Sequence, residues 1–183
     1  MQGKYKVITL CGSTKFKDEF FDEQKRLTLD GNIVISVGLF GHADDSEALQ
    51  DNVKTMLDDM HKRKIDMADE IFVINKNGYV GASTKSEIEY ATKTGKTVNF
   101  KEPMICQSCS MPITKVDDFA LNIDGSHDFD YCKYCMKDGK FIDNVDMSTY
   151  INMCSQYGAQ AGMTNDEMRA HCIKVFPTLK RWK

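Results

Sequence analysis

Four cysteines in two pairs, Cys106-x-x-Cys109 and Cys132-x-x-Cys135, with 22 residues between the pairs, carry the most specific chemistry in this chain of 183 residues. Thiolates paired this way can close a tetrahedron around one zinc ion. With four sulfurs no position stays open for water, so the expected ion holds structure and activates nothing. His127 lies between the pairs, but four cysteines already satisfy the ion. Upstream, Gly12-Ser13-Thr14-Lys15 sets a small residue, two hydroxyls and a cation before a predicted helix, where backbone amides and the helix dipole suit an anion such as phosphate. The competing reading is a plain Gly-Ser turn capping that helix, and the GxxxxGK[ST] spacing of a P-loop is absent. Further on, the glycines Gly78 and Gly81 would let backbone approach a ligand closely before Ser83, Thr84 and Glu87. Here too a second reading is open, because Thr84-x-x-Glu87 fits a capping box that merely closes a helix start.

These residues need elements to position them. Residues 5–11 form a β-rich run ending in Gly12, and a helix with Phe16, Phe20 and Leu27 on its apolar side should follow. Residues 32–37 read as a second strand. Ser46 can cap a long helix reaching about residue 67, with Leu49, Val53, Met56, Leu57 and Met60 at helical spacing. Residues 71–74 and 96–100 supply two more strands around a helix over about 83–94. Strands alternating with helices predict an α/β fold, a Rossmann-like, flavodoxin-like parallel sheet sandwiched by helices, with ligands at the carboxyl ends of the strands. The loops there are 12–16, 38–45 and 75–86, the second of which holds His42.

The sequence GSTKF after the first strand, then Ala68-Asp69-Glu70-Ile71-Phe72-Val73 running into a glycine-rich loop and Glu87-Ile88-Glu89-Tyr90-Ala91, resembles the nucleoside 2-deoxyribosyltransferase superfamily, which includes the 2'-deoxynucleoside 5'-phosphate N-hydrolases. The resemblance covers about residues 5–100. It implies that Glu87 is the nucleophile at the anomeric carbon of a nucleoside or nucleoside 5'-monophosphate, cleaving the bond from base to sugar by double displacement. It also implies a 5'-phosphate site built from Ser13, Lys15 and Ser83 or Thr84, sugar or base contacts near His42, and a homo-oligomer. Thr9 replaces a tyrosine common in the first strand, and His61 replaces a family aspartate. An imidazole at that place can protonate the departing base or orient the sugar. Otherwise His61, in His61-Lys62-Arg63-Lys64, belongs to a solvated basic helix face. Asp66 is a nearby spare carboxylate.

Beyond Pro103 the pattern changes. Residues 105–112 and 130–135 resemble the knuckles of a small zinc-ribbon family, over about residues 104–142. Turns are expected at 122–126 and 138–141, then helices over 146–157 and 165–176, the second with a Thr164-x-x-Glu167 capping box. Met153, Met168, Ile173 and Val175 are available for packing, while Lys180-Arg181-Trp182-Lys183 reads as a frayed end. The expected domains are therefore 1–102 and 103–183.

With 24 basic against 27 acidic residues there is no overall positive field, so nucleic acid is not an expected partner. The lack of an apolar leader or a stretch long enough to span a bilayer makes a soluble, cytoplasmic protein the expectation. In that setting cysteines serve as metal thiolates, and the remaining Cys11, Cys154 and Cys172 read as small core residues. Beside the enzyme reading stands a non-catalytic nucleotide sensor whose ribbon contacts a partner of unknown kind.

Overall fold

The computed structural model describes residues 3–45 and 51–183. The expected cap Ser46 and the apolar Leu49 lie outside the described residues. The chain divides into two compact units, Met1–Pro103 and Met104–Lys183.

In the first unit β1 (Val7–Gly12), α1 (Lys17–Leu29), β2 (Ile33–Ile35), α2 (Asp51–Met67), β3 (Glu70–Ile74), α3 (Ala82–Lys93) and β4 (Thr97–Phe100) alternate. Their strands form one parallel sheet in the order β2-β1-β3-β4, with Thr9 opposite Ile35 on one side and Ile71 on the other. Side chains alternate along a strand, and β1, buried on both faces, splits its run accordingly. Ile8 and Leu10 join Phe20, Leu27, Phe40 and Ile74 in a core on the α1 side. Truncating Leu10 to alanine there costs about 2–5 kcal/mol. Thr9 and Cys11 point the other way, toward α2: the Thr9 hydroxyl donates to the Lys64 carbonyl at 2.9 Å. Gly12 ends the strand at φ 153°, where an added Cβ would stand 2.8 Å from the Ile74 carbonyl oxygen, so only glycine lets β1 pass β3 into its loop.

Two expectations change here. The second strand is shorter than residues 32–37, because the Lys64 ammonium takes the Ser36 carbonyl at 2.8 Å as the chain leaves the sheet. On α2, Met56 and Met60 do not face the core but stand 53% and 49% exposed, while His61 and Ile65 are buried. The inward stripe runs through half-buried Leu57 and buried His61 and Ile65, four residues apart, so the helix is turned relative to the methionine pattern.

The second unit begins with three antiparallel hairpins: β5 (Met104–Ile105) with β6 (Pro112–Ile113), β7 (Phe119–Leu121) with β8 (His127–Cys132), and β9 (Met136–Lys137) with β10 (Lys140–Phe141). The turn between β9 and β10 places Asp138 and Gly139 at φ 50° and 72°, the paired positive values that a tight hairpin requires and that Asp-Gly tolerates. α4 (Met147–Ser155) is capped by the Asp146 carboxylate on the Thr149 amide. α5 (Asn165–Val175) carries the expected Thr164–Glu167 capping box. The packing of this helical part differs from expectation: Ile173 is 53% exposed, while Tyr150 and Ile151 of α4, Cys172 of α5, and Phe176 and Leu179 after it are buried. Among the described residues no helix is long and apolar enough to cross a membrane.

Candidate functional site

The two knuckles bring their sulfurs together. Cys106, Cys109, Cys132 and Cys135 place their Sγ atoms within 4.8 Å of one another, with separations of 3.8 Å for Cys106–Cys135, 3.8 Å for Cys109–Cys132 and 3.4 Å for Cys132–Cys135. A zinc ion with bonds of about 2.3 Å to four sulfurs needs tetrahedral edges of about 3.8 Å, so the cluster fits such an ion. Its surroundings fit too: the Cys132 backbone amide donates to Cys106 Sγ at 3.3 Å, and the buried Tyr150 hydroxyl lies 3.1 Å from Cys135 Sγ. Donors of this kind stabilise thiolate charge and fix ligand orientation. The arrangement is a metal-binding cluster with all four tetrahedral positions supplied by protein.

Residues 180–182, read above as fraying, are instead packed on the first knuckle. The Trp182 indole donates to the Ser108 carbonyl at 2.8 Å, Arg181 donates to the Ser108 hydroxyl at 2.8 Å, and the Arg181 backbone amide donates to the Gln107 carbonyl at 3.1 Å. The guanidinium lies over Phe141, Tyr150 and Trp182, 4.2–4.5 Å from each ring centre. Cation–π contact and three hydrogen bonds outweigh the entropy of a loose end.

The first unit holds a different convergence. On α2, Lys54, Leu57, Asp58, His61 and Lys64 recur at three- and four-residue steps and form one wall of a cleft. Ser83 and Glu87, four apart on α3, form another, and Gly12, Thr14, Val37, Gly38, Leu39, Gly41 and His42 complete it. The cleft holds about 170 Å³, less than the ~300 Å³ of the smallest usual ligand pockets, so a nucleoside-sized ligand would leave one end in solvent. A larger hollow of about 380 Å³ lies in the second unit, but Lys133, Lys137 and Asp138 on its rim are exposed and no buried ionisable group converges on it among the described residues.

At the base of the cleft three side chains from β1, α2 and α3 meet. His61 Nε2 lies 3.5 Å from Cys11 Sγ and 3.9 Å from Glu87 Oε1. Cys11 and His61 are buried, and the Glu87 side chain is 12% exposed. Glu87 Oε2 is buried without a hydrogen-bond partner, and a buried oxygen left so costs about 1–3 kcal/mol. Burial pushes the Glu87 carboxyl up to about 8. Burial, with the Lys64 cation adding to it, lowers His61 to about 4. At neutral pH the carboxyl therefore holds its proton and the imidazole is neutral, so their contact is not an ion pair. Burial and the nearby Glu87 likewise raise the Cys11 thiol well above its ordinary value.

The expected site residues separate into two groups. Glu87, His61, Gly12, His42 and Ser83 line the cleft, His42 with its Nδ1 2.9 Å from the Thr14 hydroxyl. Ser13, Lys15, Gly81 and Thr84 do not line it: the Lys15 ammonium sits 3.1 Å from the Tyr79 ring centre, and Thr84 is buried inside α3. The capping-box reading of Glu87 is overturned, because Gly81 is the N-cap of α3 and no side chain caps it. The solvated-face reading of His61 fails on its burial. Asp66 is a structural partner that accepts from the Tyr90 hydroxyl at 2.7 Å. Sequence reasoning missed Cys11, and it missed Lys54, whose ammonium pairs with Asp58 and lies 3.2 Å from the Ser83 hydroxyl. The spacing of Lys54, Asp58 and His61 along one helix face was the available signal.

No curated protein matches the chain. Residues 105–183 match the model of the family described as "Putative zinc ribbon domain", which is the family the four-thiol cluster and its hairpins point to for this part of the chain.

Proposed function

We propose that the first unit cleaves the bond between base and sugar in a nucleoside or nucleoside 5'-monophosphate, with Glu87 as nucleophile, and that the ribbon carries one structural zinc. The observation that carries the reading is the Glu87 carboxyl at the base of a cleft, with Oε1 beside His61 and Oε2 buried without a partner. Proteins rarely leave a buried carboxyl oxygen unpaired without use for it. The strand order β2-β1-β3-β4 supports the reading as well, since in a flavodoxin-like sheet the crevice lies at the carboxyl ends of the strands where the order reverses. Gly12 and Thr14 belong to that end of β1.

In the reaction the Glu87 carboxyl gives up its proton by way of His61 to the departing base. Its oxygen bonds to C1' as the bond from C1' to the base nitrogen breaks, and water then hydrolyses the sugar ester and returns a proton to the carboxylate. An acceptor base in place of water would make the same enzyme a transferase. The Lys54 ammonium of α2, 3.2 Å from the Ser83 hydroxyl in the first turn of α3, supports a 5'-phosphate position there.

The test is chromatographic detection of free base after incubation with a panel of nucleosides and nucleoside monophosphates, with and without an acceptor base. Release by the wild type and not by Glu87→Gln is the expected result. Binding without release by the wild type would replace this reading with the nucleotide sensor.

A further inference from the structure

Cys11, His61 and Glu87 are three different ligand types that reach one point from 50 and 26 residues' separation along the chain. Their nearest ligand atoms all lie within 4.8 Å of one another. A tetrahedral zinc-class ion bound by one sulfur at about 2.3 Å, one nitrogen at about 2.05 Å and one oxygen at about 2.0 Å needs a sulfur–nitrogen edge of about 3.5 Å and a nitrogen–oxygen edge of about 3.3 Å. The chain already supplies 3.5 Å for the first and 3.9 Å for the second, and a small rotation of the carboxylate closes the difference. A further observation points to a ligand: Glu87 Oε2 is buried with no protein partner.

We propose that Cys11, His61 and Glu87 form a second metal site in this chain, for a zinc-class divalent ion, with a fourth position facing the cleft. Charge favours this ion. A buried cation is costly unless neutralised, and one thiolate with one carboxylate balances a divalent ion without residue. The thiolate selects a borderline or soft metal over magnesium or calcium, which prefer oxygen. Binding releases the thiol proton and the carboxyl proton to solvent. Because His61 and Glu87 line the cleft, the site stays reachable and open to a fourth ligand, unlike the four-thiol cluster. The inference goes beyond the glycosidic reading and is judged by metal binding alone. Where both hold, the ion takes the carboxylate that attack requires, and zinc inhibits base release.

The experiment is a titration of Co²⁺ into the full chain carrying one zinc per molecule. Cobalt binds such sites more weakly than zinc, so it does not displace the ribbon ion and reports only a further site. The expected result is one saturable equivalent with a sulfur-to-cobalt charge-transfer band, lost in Cys11→Ser and weakened at least tenfold in affinity in His61→Asn, with circular dichroism of both variants overlaying the wild type. Absence of a saturable cobalt spectrum in the wild type overturns the site, as does a spectrum that Cys11→Ser leaves unchanged. If Cys11→Ser does not fold, the wild-type spectrum and His61→Asn still decide.

Discussion

The four thiols of the second unit and the Cys11–His61–Glu87 trio of the first are both convergences of metal-class ligands, but only one is complete. Around the thiols every tetrahedral position is supplied by protein, and an amide and a hydroxyl reach the Cys106 and Cys135 sulfurs. Around the trio one carboxyl oxygen lacks a partner and a cleft adjoins it. A closed set of ligands stabilises its surroundings and leaves nothing free to react. An open set costs stability and keeps a group available, which is what chemistry or exchangeable binding needs.

The largest effect that could break this comparison lies in the closed cluster. Cys132→Ser, or removal of metal by a strong chelator, should unfold the second unit, since structural zinc contributes on the order of 10–16 kcal/mol in small domains. Loss of its amide hydrogen-exchange protection reads this out, and retained protection would mean that the hairpins stand without metal. In the open cluster Glu87→Gln should lower base release by about 10³-fold or more while the melting temperature moves little. A proportional fall in stability would make Glu87 structural. Next comes Tyr150→Phe, which removes the hydroxyl beside Cys135 and should weaken zinc affinity by about 10- to 100-fold in a competition titration against a chromogenic chelator. An unchanged affinity would show that the hydroxyl does not tune the thiolate. The smallest effect sharpens the contrast most. Glu87→Met deletes the partnerless oxygen at similar volume and should raise unfolding free energy by about 1 kcal/mol in denaturant titration, whereas no substitution of a ribbon cysteine should stabilise. Destabilisation by Glu87→Met would remove the claim that the trio is held at a cost.

The difference between the clusters also explains what could be read in advance. Cys106, Cys109, Cys132 and Cys135 speak through local spacing, as do Thr164 with Glu167 and the Asp138-Gly139 turn, because each device is built from residues within a few positions of one another. Cys11 is joined to His61 and Glu87 only through the sheet, and nothing local marks it as more than a core residue. His61 depended on which face of α2 turns inward. The methionines at 56 and 60 suggested one face, and the stripe through Leu57 and Ile65 decided the other. Glu87 shows the same limit: Thr84-x-x-Glu87 obeys the grammar of a cap as well as Thr164-x-x-Glu167 does, and only the start of α3 at Ala82 separates them.

Trp182 is the only tryptophan of the chain. It stacks on Phe176 at 6.1 Å and 9°, lies 5.2 Å from the Tyr150 ring, and donates to Ser108 inside the first knuckle. Its emission is therefore a built-in optical gauge of the ribbon. Excited selectively, it follows metal uptake and assembly of the first knuckle in a single cuvette without adding a dye.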